Sequence, residues 1–201
     1  MAERVSRQGT FFPVPEFDLM GTIDGGQAFR WNPVRDTGIY RGVIGRSVLE
    51  VGSVDGGLEV ALVSGEPVDQ SIVRSYFGLD DDLEGLREKY AGDRGLGPAL
   101  SGYLGLRLLD QDPWECLSGF ICSATSNIPR IKLNMGSLAS YCGDRIGPQE
   151  TDFAFPGPET VAAVGEQAVR DMAWGFRARY LQGAALAVSS GLPNLINGTC
   201  F

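Results

Sequence analysis

Residues 110–130 read Asp-Gln-Asp-Pro-Trp-Glu-Cys-Leu-Ser-Gly-Phe-Ile-Cys-Ser-Ala-Thr-Ser-Asn-Ile-Pro-Arg. Asp112 can cap a helix. Pro113 suits the first helical position, where its preset φ helps and its missing N–H costs nothing, and Glu115 stands three residues after the cap, where it can close a capping box. The spacing predicts an apolar helix over about 113–124. A short polar turn, Ser123-Ala124-Thr125-Ser126-Asn127, leads into a second helix over about 128–141, which Asn127 or Ser126 can cap. Arg130 falls in that helix's first turn, where a cation opposes the helix dipole. A plain helix–helix turn explains the stretch. So does a polar knuckle whose backbone N–H groups and arginine face a nucleic acid.

Upstream the pattern is that of a sheet. Gln27–Trp31, Ile39–Gly45, Ser47–Val51 and Leu58–Val63 are short runs separated by turn clusters at Asn32–Gly38 and Asp55-Gly56-Gly57, which reads as an antiparallel meander. Gly42 alone among the glycines lies inside a run. Val68–Phe77 has helical spacing, and Asp80-Asp81-Asp82 places negative charge at the start of a helix running to about Tyr90, with Leu83, Leu86 and Tyr90 as its apolar face. Capping explains this acidic triplet better than a metal site does. From Pro113 onward the chain reads as wholly helical, over about 113–124, 128–141, 158–163, 166–173 and 176–190, with Gly143, Gly165, Gly175 and Gly191 at the expected ends. The fold class is therefore α+β: an N-terminal antiparallel sheet with helices over 1–110, then an all-α part over 111–201.

The 201 residues are 43% hydrophobic and 21% charged, as expected for a chain that buries a core in one or two domains. No apolar run approaches the ~18 residues of a membrane span. Met1–Thr10 is polar, unlike a secretory signal, and Asn197-Gly198-Thr199 is more simply a turn than a glycosylation site. Cys116, Cys122, Cys142 and Cys200 form no C-x-x-C pair, and histidine is absent. No zinc site and no Ser-His-Asp or Cys-His centre is expected; the cysteines read as reduced, mostly buried thiols of an intracellular protein. Net charge is −8, and of 17 cations only Lys89 and Lys132 are lysines. Adaptation to high salt and a GC-rich genome both account for that bias. An acidic exterior does not decide against nucleic-acid binding, because a local cationic groove can coexist with it.

Three segments carry possible chemistry. Gly25-Gly26-Gln27-Ala28-Phe29-Arg30-Trp31 combines two glycines, which let backbone approach a ligand, with a strand-like run. The knuckle at 123–130 is the second. The third is Trp174-Gly175-Phe176-Arg177-Ala178-Arg179-Tyr180, an aromatic and cationic helix start; arginine can read a base edge and an aromatic ring can wedge into a stack. Each also has a structural reading: Phe29 and Trp31 in the core, a helix–helix turn, and Tyr180 in the core beside solvated arginines.

Taken together, GGQAFRW, YRGV, QDPWECLSGFICSATSNIPRI and GFRARY resemble the 8-oxoguanine DNA glycosylase/AP lyase family of the helix-hairpin-helix superfamily, from about Asp18 to Leu186. The resemblance implies that residues 111–201 are part of a helix-hairpin-helix glycosylase domain. It implies a monomer without cofactor or metal, acting on double-stranded DNA with 8-oxoguanine opposite cytosine, inside a prokaryotic cell, for which the acidic, lysine-poor composition offers a halophilic habitat as one reading. It also implies roles. Gly26 would contact the flipped lesion through its carbonyl, with Gln27, Phe29 and Arg30 supporting it. Arg130 and Arg177 would hold the widowed cytosine, and Phe176 would wedge beside the extruded nucleotide. The family's turn usually carries a run of asparagines, the first of which plugs the duplex; Thr125-Ser126-Asn127 replaces it and retains only Asn127. The family's LPGVG-x-K hairpin and catalytic aspartate have no counterpart here, and the tail ceases to resemble the family near Ile196. The expectation is a truncated, fragmentary or frameshifted chain with that lysine and aspartate beyond Phe201, inactive on its own. A damage-binding remnant without catalysis and an unstable fragment are the alternatives.

Overall fold

A computed structural model describes residues 9–191. Met1–Gln8 and everything after Gly191 lie outside the described residues, and with them the readings of Asn197-Gly198-Thr199, Cys200 and the tail.

Five strands form one antiparallel sheet. They are β1 (Thr10–Pro13), β2 (Asn32–Val34), β3 (Ile39–Ile44), β4 (Ser47–Val54) and β5 (Gly57–Gly65), in the order β1-β5-β4-β3-β2. The expected meander is present over β3, β4 and β5. β1, not foreseen, pairs with the outer side of β5, with Thr10 opposite Val60 and Pro13 opposite Gly57. The expected strand over Gln27–Trp31 does not exist, and the expected turn after it holds β2 instead. The polar groups of residues 27–31 are engaged elsewhere. The Gln111 amide donates to the Gln27 carbonyl at 2.8 Å, and the Gln27 side chain donates to the Arg107 carbonyl at 2.8 Å while accepting from Leu109 N–H at 3.1 Å. These bonds tie the segment to the 107–111 linker instead of to a strand neighbour.

Trp31 explains the glycine inside β3. Its indole is 2% exposed and donates to the Tyr76 hydroxyl at 2.9 Å. A Cβ on Gly42 would lie 2.3 Å from the indole ring, so only glycine lets the ring cross the strand. Trp31, Tyr76 and Phe77 then form the centre of the first core, with Ile23, Leu49, Val51 and Leu58 around them.

Helices α1 (Leu19–Asp24), α2 (Gln70–Tyr76), α3 (Leu83–Tyr90) and α4 (Leu96–Gly102) complete this half. α1 and α4 escaped the sequence reading because six and seven residues give too little periodicity. The acidic triplet behaves as capping chemistry: Asp82 accepts from Gly85 N–H at 2.8 Å, and Asp80 pairs with Arg74. The expected apolar face of α3 is not core, since no residue of that helix is buried.

The second half contains α5 (Pro113–Ser123), α6 (Ile128–Cys142), α7 (Pro158–Val164), α8 (Glu166–Val169), a π-turn at Arg170–Trp174 and α9 (Arg177–Ser189). Trp114, Cys122, Met135, Leu138, Val161, Trp174 and Leu181 form its core, against which Phe29 packs from the first half. It is not wholly helical. Residues 143–157 form an irregular loop, held by a bridge between Arg145 and Phe153 and by Asp152, whose carboxylate accepts from Nε and Nη2 of the buried Arg41 at 3.0 and 2.8 Å. Asp112 caps α5 as read, accepting from Glu115 N–H at 2.8 Å. Glu115 does not return the bond. Its carboxylate takes a two-pronged bond from Arg30 at 2.7 and 2.9 Å, stronger than a neutral N–H could offer. Of the described cysteines Cys122 is buried, Cys142 half-buried and Cys116 exposed, so burial is less general than expected. Among the described residues, no helix is long and apolar enough to cross a membrane, and no cluster could hold a metal ion.

The Trp31–Gly42 packing makes a sharp test. Gly42→Ala is expected to lower stability by about 1–3 kcal/mol, the range for overpacking a filled core. Denaturant unfolding followed by tryptophan fluorescence measures it; an unchanged midpoint would show that the indole does not lie against residue 42.

Candidate nucleic-acid interface

The two arginine-bearing turns face each other across the top of the helical half. The first, Ala124–Asn127, joins α5 to α6. Asn127 caps α6, its side-chain oxygen accepting from Arg130 N–H at 3.0 Å, and Ser126 N–H donates to the Ser123 carbonyl at 3.1 Å. The second, Met172–Phe176, leads from the π-turn into α9. Gly175 ends the preceding turn, and Phe176, not Gly175, occupies the position before α9.

Each turn is held by the other turn's arginine. Arg177, the first residue of α9, donates from Nε to the Ala124 carbonyl and from Nη2 to the Thr125 carbonyl, both at 2.7 Å. Arg130, in the first turn of α6, donates from Nη2 to the Ala173 carbonyl at 3.1 Å. Both braced turns contain a non-glycine residue with positive φ, Thr125 at +52° and Ala173 at +64°. That conformation brings Cβ against a carbonyl and costs about 1–2 kcal/mol. The charge-assisted bonds to the neighbouring carbonyls offset this cost.

The surface around the brace is aromatic and cationic. The Arg177 guanidinium lies 4.7 Å from the centre of the Phe176 ring, and Arg179 lies 4.8 Å from that of Tyr180. Phe176 and Tyr180 meet edge to face and are about half exposed. Tyr180 is therefore not a core residue, which removes one structural reading of this helix. Beneath the brace, the Trp174 indole donates to the Asn134 carbonyl at 3.2 Å. Burial pushes the Cys122 thiol above its ordinary range, against the pull of a hydrogen bond with the Asn134 side chain and of the nearby Arg177 and Arg130 charges. The Ser126 hydroxyl is buried without a hydrogen-bond partner.

The glycine pair reaches the same place from the first half. It follows α1, and Gly26 has φ +94°, a conformation that side chains rarely adopt. A Cβ there would stand 3.3 Å from Cδ1 of Ile128, the first residue of α6. Gly26, Thr125, Ser126, Asn127, Arg130, Phe176 and Arg177 are thus drawn around a single helix start. Gln27, Phe29 and Arg30 lie behind it as supports. Gln27 and Arg30 bond the linker, α5 and the 143–157 loop, while Phe29 packs into the second core. The sequence reading missed one ion pair here: Lys132 on α6 binds Asp24 at the end of α1. Its only sequence signal is that Lys132 stands one helical turn after Ile128, on the same face.

Thr125 provides a test of the turn geometry. Asparagine adopts positive φ more readily than a β-branched residue. Thr125→Asn is therefore expected to stabilise the protein by up to about 1 kcal/mol, read as a raised thermal midpoint. A lowered midpoint would mean that the threonine side chain makes a contact outweighing its backbone strain.

Comparison with known proteins places the chain in a family. Residues 11–117 match the family model of the 8-oxoguanine DNA glycosylase N-terminal domain. The chain is 29% identical over 206 residues to the N-glycosylase/DNA lyase OGG1 of Arabidopsis thaliana, an alignment covering 94% of this chain and 55% of the relative. It thus spans about half the length of that curated relative. Among solved structures it resembles MBOgg1 in complex with a low-affinity DNA ligand, at 30% identity and a TM-score of 0.80 over 94% of this chain and 68% of the other. It also resembles the Clostridium acetobutylicum 8-oxoguanine glycosylase/lyase in complex with double-stranded DNA containing cytosine opposite 8-oxoG, at 26% identity and a TM-score of 0.80 over 92% of this chain and 67% of the other. The chain belongs to the 8-oxoguanine DNA glycosylase family.

Proposed function

We propose that this chain recognises 8-oxoguanine opposite cytosine in duplex DNA by extruding the damaged nucleotide, as the DNA-reading part of a bifunctional N-glycosylase/AP lyase of base-excision repair. The observation that carries the proposal is the reciprocal bracing of Arg130 and Arg177 across two turns, with Gly26 packed on the helix start between them. A glycosidic bond inside a duplex is out of reach, so the base must leave the stack. Oxidation gives the guanine ring an N–H that guanine lacks, and the Gly26 carbonyl is the acceptor for it. A site built round one hydrogen bond rejects the analogue that cannot make it.

The vacated cytosine presents acceptor atoms, which suit two arginine forks. Arg130 and Arg177 reach it from opposite turns, and their bonds to carbonyls hold the guanidinium planes in place before DNA arrives, which lowers the cost of ordering them. Phe176 wedges beside the extruded nucleotide. Thr125 enters the gap left in the duplex, and Ser126 and Asn127 shape the turn behind it. Arg179 and the backbone of the α6 start supply phosphate contacts, which position the protein without reading sequence.

Excision by an amine nucleophile needs a lysine able to attack the sugar carbon. Lysine occurs in these 201 residues only at 89 and 132. Lys132 is engaged by Asp24, and Lys89 lies over the Tyr90 ring on α3. We therefore take the 201-residue polypeptide by itself to bind damage without cleaving it.

Two measurements test this reading. Arg177→Ala is expected to weaken binding to an 8-oxoguanine:cytosine duplex by roughly tenfold, within the range of one two-pronged arginine–base contact. Binding to the same lesion opposite adenine should change less; equal affinity of mutant and parent for the cytosine duplex would count against the assignment. Borohydride treatment of the parent with that duplex is expected to trap no covalent adduct, and an adduct in good yield would show that one of the two lysines serves as nucleophile.

A further inference from the structure

The ion pair between Lys132 and Asp24 stands at the junction of the two sequence segments that matter most. Asp24 is the last residue of α1, directly before Gly25-Gly26. Lys132 lies on α6, one turn beyond Ile128. The pair joins residues 108 apart in sequence, and the two side chains are partly covered, at 22% and 38% exposure. On one face of α6, therefore, Ile128 meets Gly26 and Lys132 meets Asp24. The two contacts set both the height and the rotation of the glycine turn against the helix.

The other side of the turn is fixed independently. The Gln27 side chain is bonded to Thr22, Arg107 and Leu109, and its carbonyl to Gln111. The Gly26 peptide thus hangs between a dense set of bonds at Gln27 and one ion pair at Asp24. Arg130 projects from α6 two residues from Lys132, roughly opposite around the helix, and reaches the Ala173 carbonyl. One helix therefore carries both the anchor of the glycine turn and the arginine directed at the opposite strand.

We infer that Lys132 and Asp24 are positioning residues that hold the Gly26 carbonyl in register with Arg130, so that lesion reading and opposite-base reading are mechanically coupled through α6. This rests on the assignment of Gly26 as the lesion contact. It gives Lys132 a different task from that of a phosphate-binding cation. A phosphate contact would make Lys132 matter for any DNA and make Asp24 a hindrance. A positioning pair makes the two residues matter equally, and only for the discrimination of lesion from guanine.

The test uses the full 201-residue chain with Lys132→Met, Asp24→Asn, Lys132→Arg and the charge-swapped double variant Asp24→Lys/Lys132→Asp, all checked for an unchanged thermal midpoint. Hydrogen exchange at the amides of residues 25–27 is measured without DNA. Exchange is expected to quicken about two- to fivefold in Lys132→Met and Asp24→Asn, the range available to a part-exposed ion pair. It should stay near parental in Lys132→Arg and the swapped variant, and the difference should shrink in high salt. The affinity ratio between 8-oxoguanine:cytosine and guanine:cytosine duplexes should fall by a similar factor in the two neutralised variants. Unchanged exchange in both neutralised variants would overturn the inference. So would a loss of affinity in Lys132→Met shared equally by both duplexes and matched by a gain in Asp24→Asn. A parental protein with no lesion preference, but with the exchange pattern described, would reject the lesion assignment of Gly26 and leave the anchoring of the turn standing. A variant that fails to fold is replaced in the comparison by the swapped pair, whose parental exchange supports the inference and whose fast exchange contradicts it.

Discussion

The structure turns on a buried arginine. Arg30 is 8% exposed, and each of its three guanidinium nitrogens donates a hydrogen bond, two to the Glu115 oxygens on α5 and one to the Phe153 carbonyl of the irregular loop. Burial pulls its pKa down, but the charge of Glu115 and the bonds to it more than offset this and raise the value above the ordinary one. A buried charge must be paired, and removing one partner of such a pair typically costs about 3–5 kcal/mol. Because the partners lie 85 and 123 residues away, this one side chain fixes the glycine turn's segment, the first helix of the second core and the following loop in one arrangement. Arg41 repeats the device one layer over, joining β3 to Asp152 and Glu50. These buried pairs tie the segment that carries Gly26 to the second half, and Ile128 and Lys132 then meet it at the α6 start.

The electrostatics of the whole and of the site have opposite sign. A chain of net charge −8 repels a phosphate backbone at long range, yet the braced turns gather Arg130, Arg177 and Arg179 with two aromatic rings. The bonds from Arg130 and Arg177 to backbone carbonyls are internal, so these two cations are already oriented and need no acidic side chain of the protein to hold them. Cations held by carbonyl oxygens keep their full charge toward the outside. This is how an acidic protein can carry a local surface suited to nucleic acid.

Much of this was legible in the sequence, and the exceptions have reasons. The Asp112-Pro113 start of α5, the Asn127 cap of α6 and the meander from β3 to β5 follow from local chemistry. The inner glycine at 42 was visible as an anomaly, but its cause, an indole lying across the strand, is a long-range contact. Gln27–Trp31 was misread as a strand because alternation of side chains records only that residues face two ways. It does not record where their hydrogen bonds go, and here they go to the linker and α5. Glu115 fits a capping box by spacing, and only the position of Arg30 reveals its other use. The residues around the α6 start were found through three weak segments taken jointly. The mutual bracing of their arginines through backbone carbonyls could not be found that way, because a carbonyl acceptor has no residue type. Lys132 and Asp24 were passed over because neither lies in a motif.

In the function proposed above, the two braced turns and the Gly26 turn act as one surface that opens a duplex at a damaged base. The most direct measurement places 2-aminopurine beside 8-oxoguanine paired with cytosine and follows its fluorescence as the protein is added. A rise is expected, since extrusion unstacks the neighbouring base, with a much smaller rise for an otherwise identical guanine:cytosine duplex. Binding to the damaged duplex at saturation with no rise, or an equal rise with both duplexes, would contradict it.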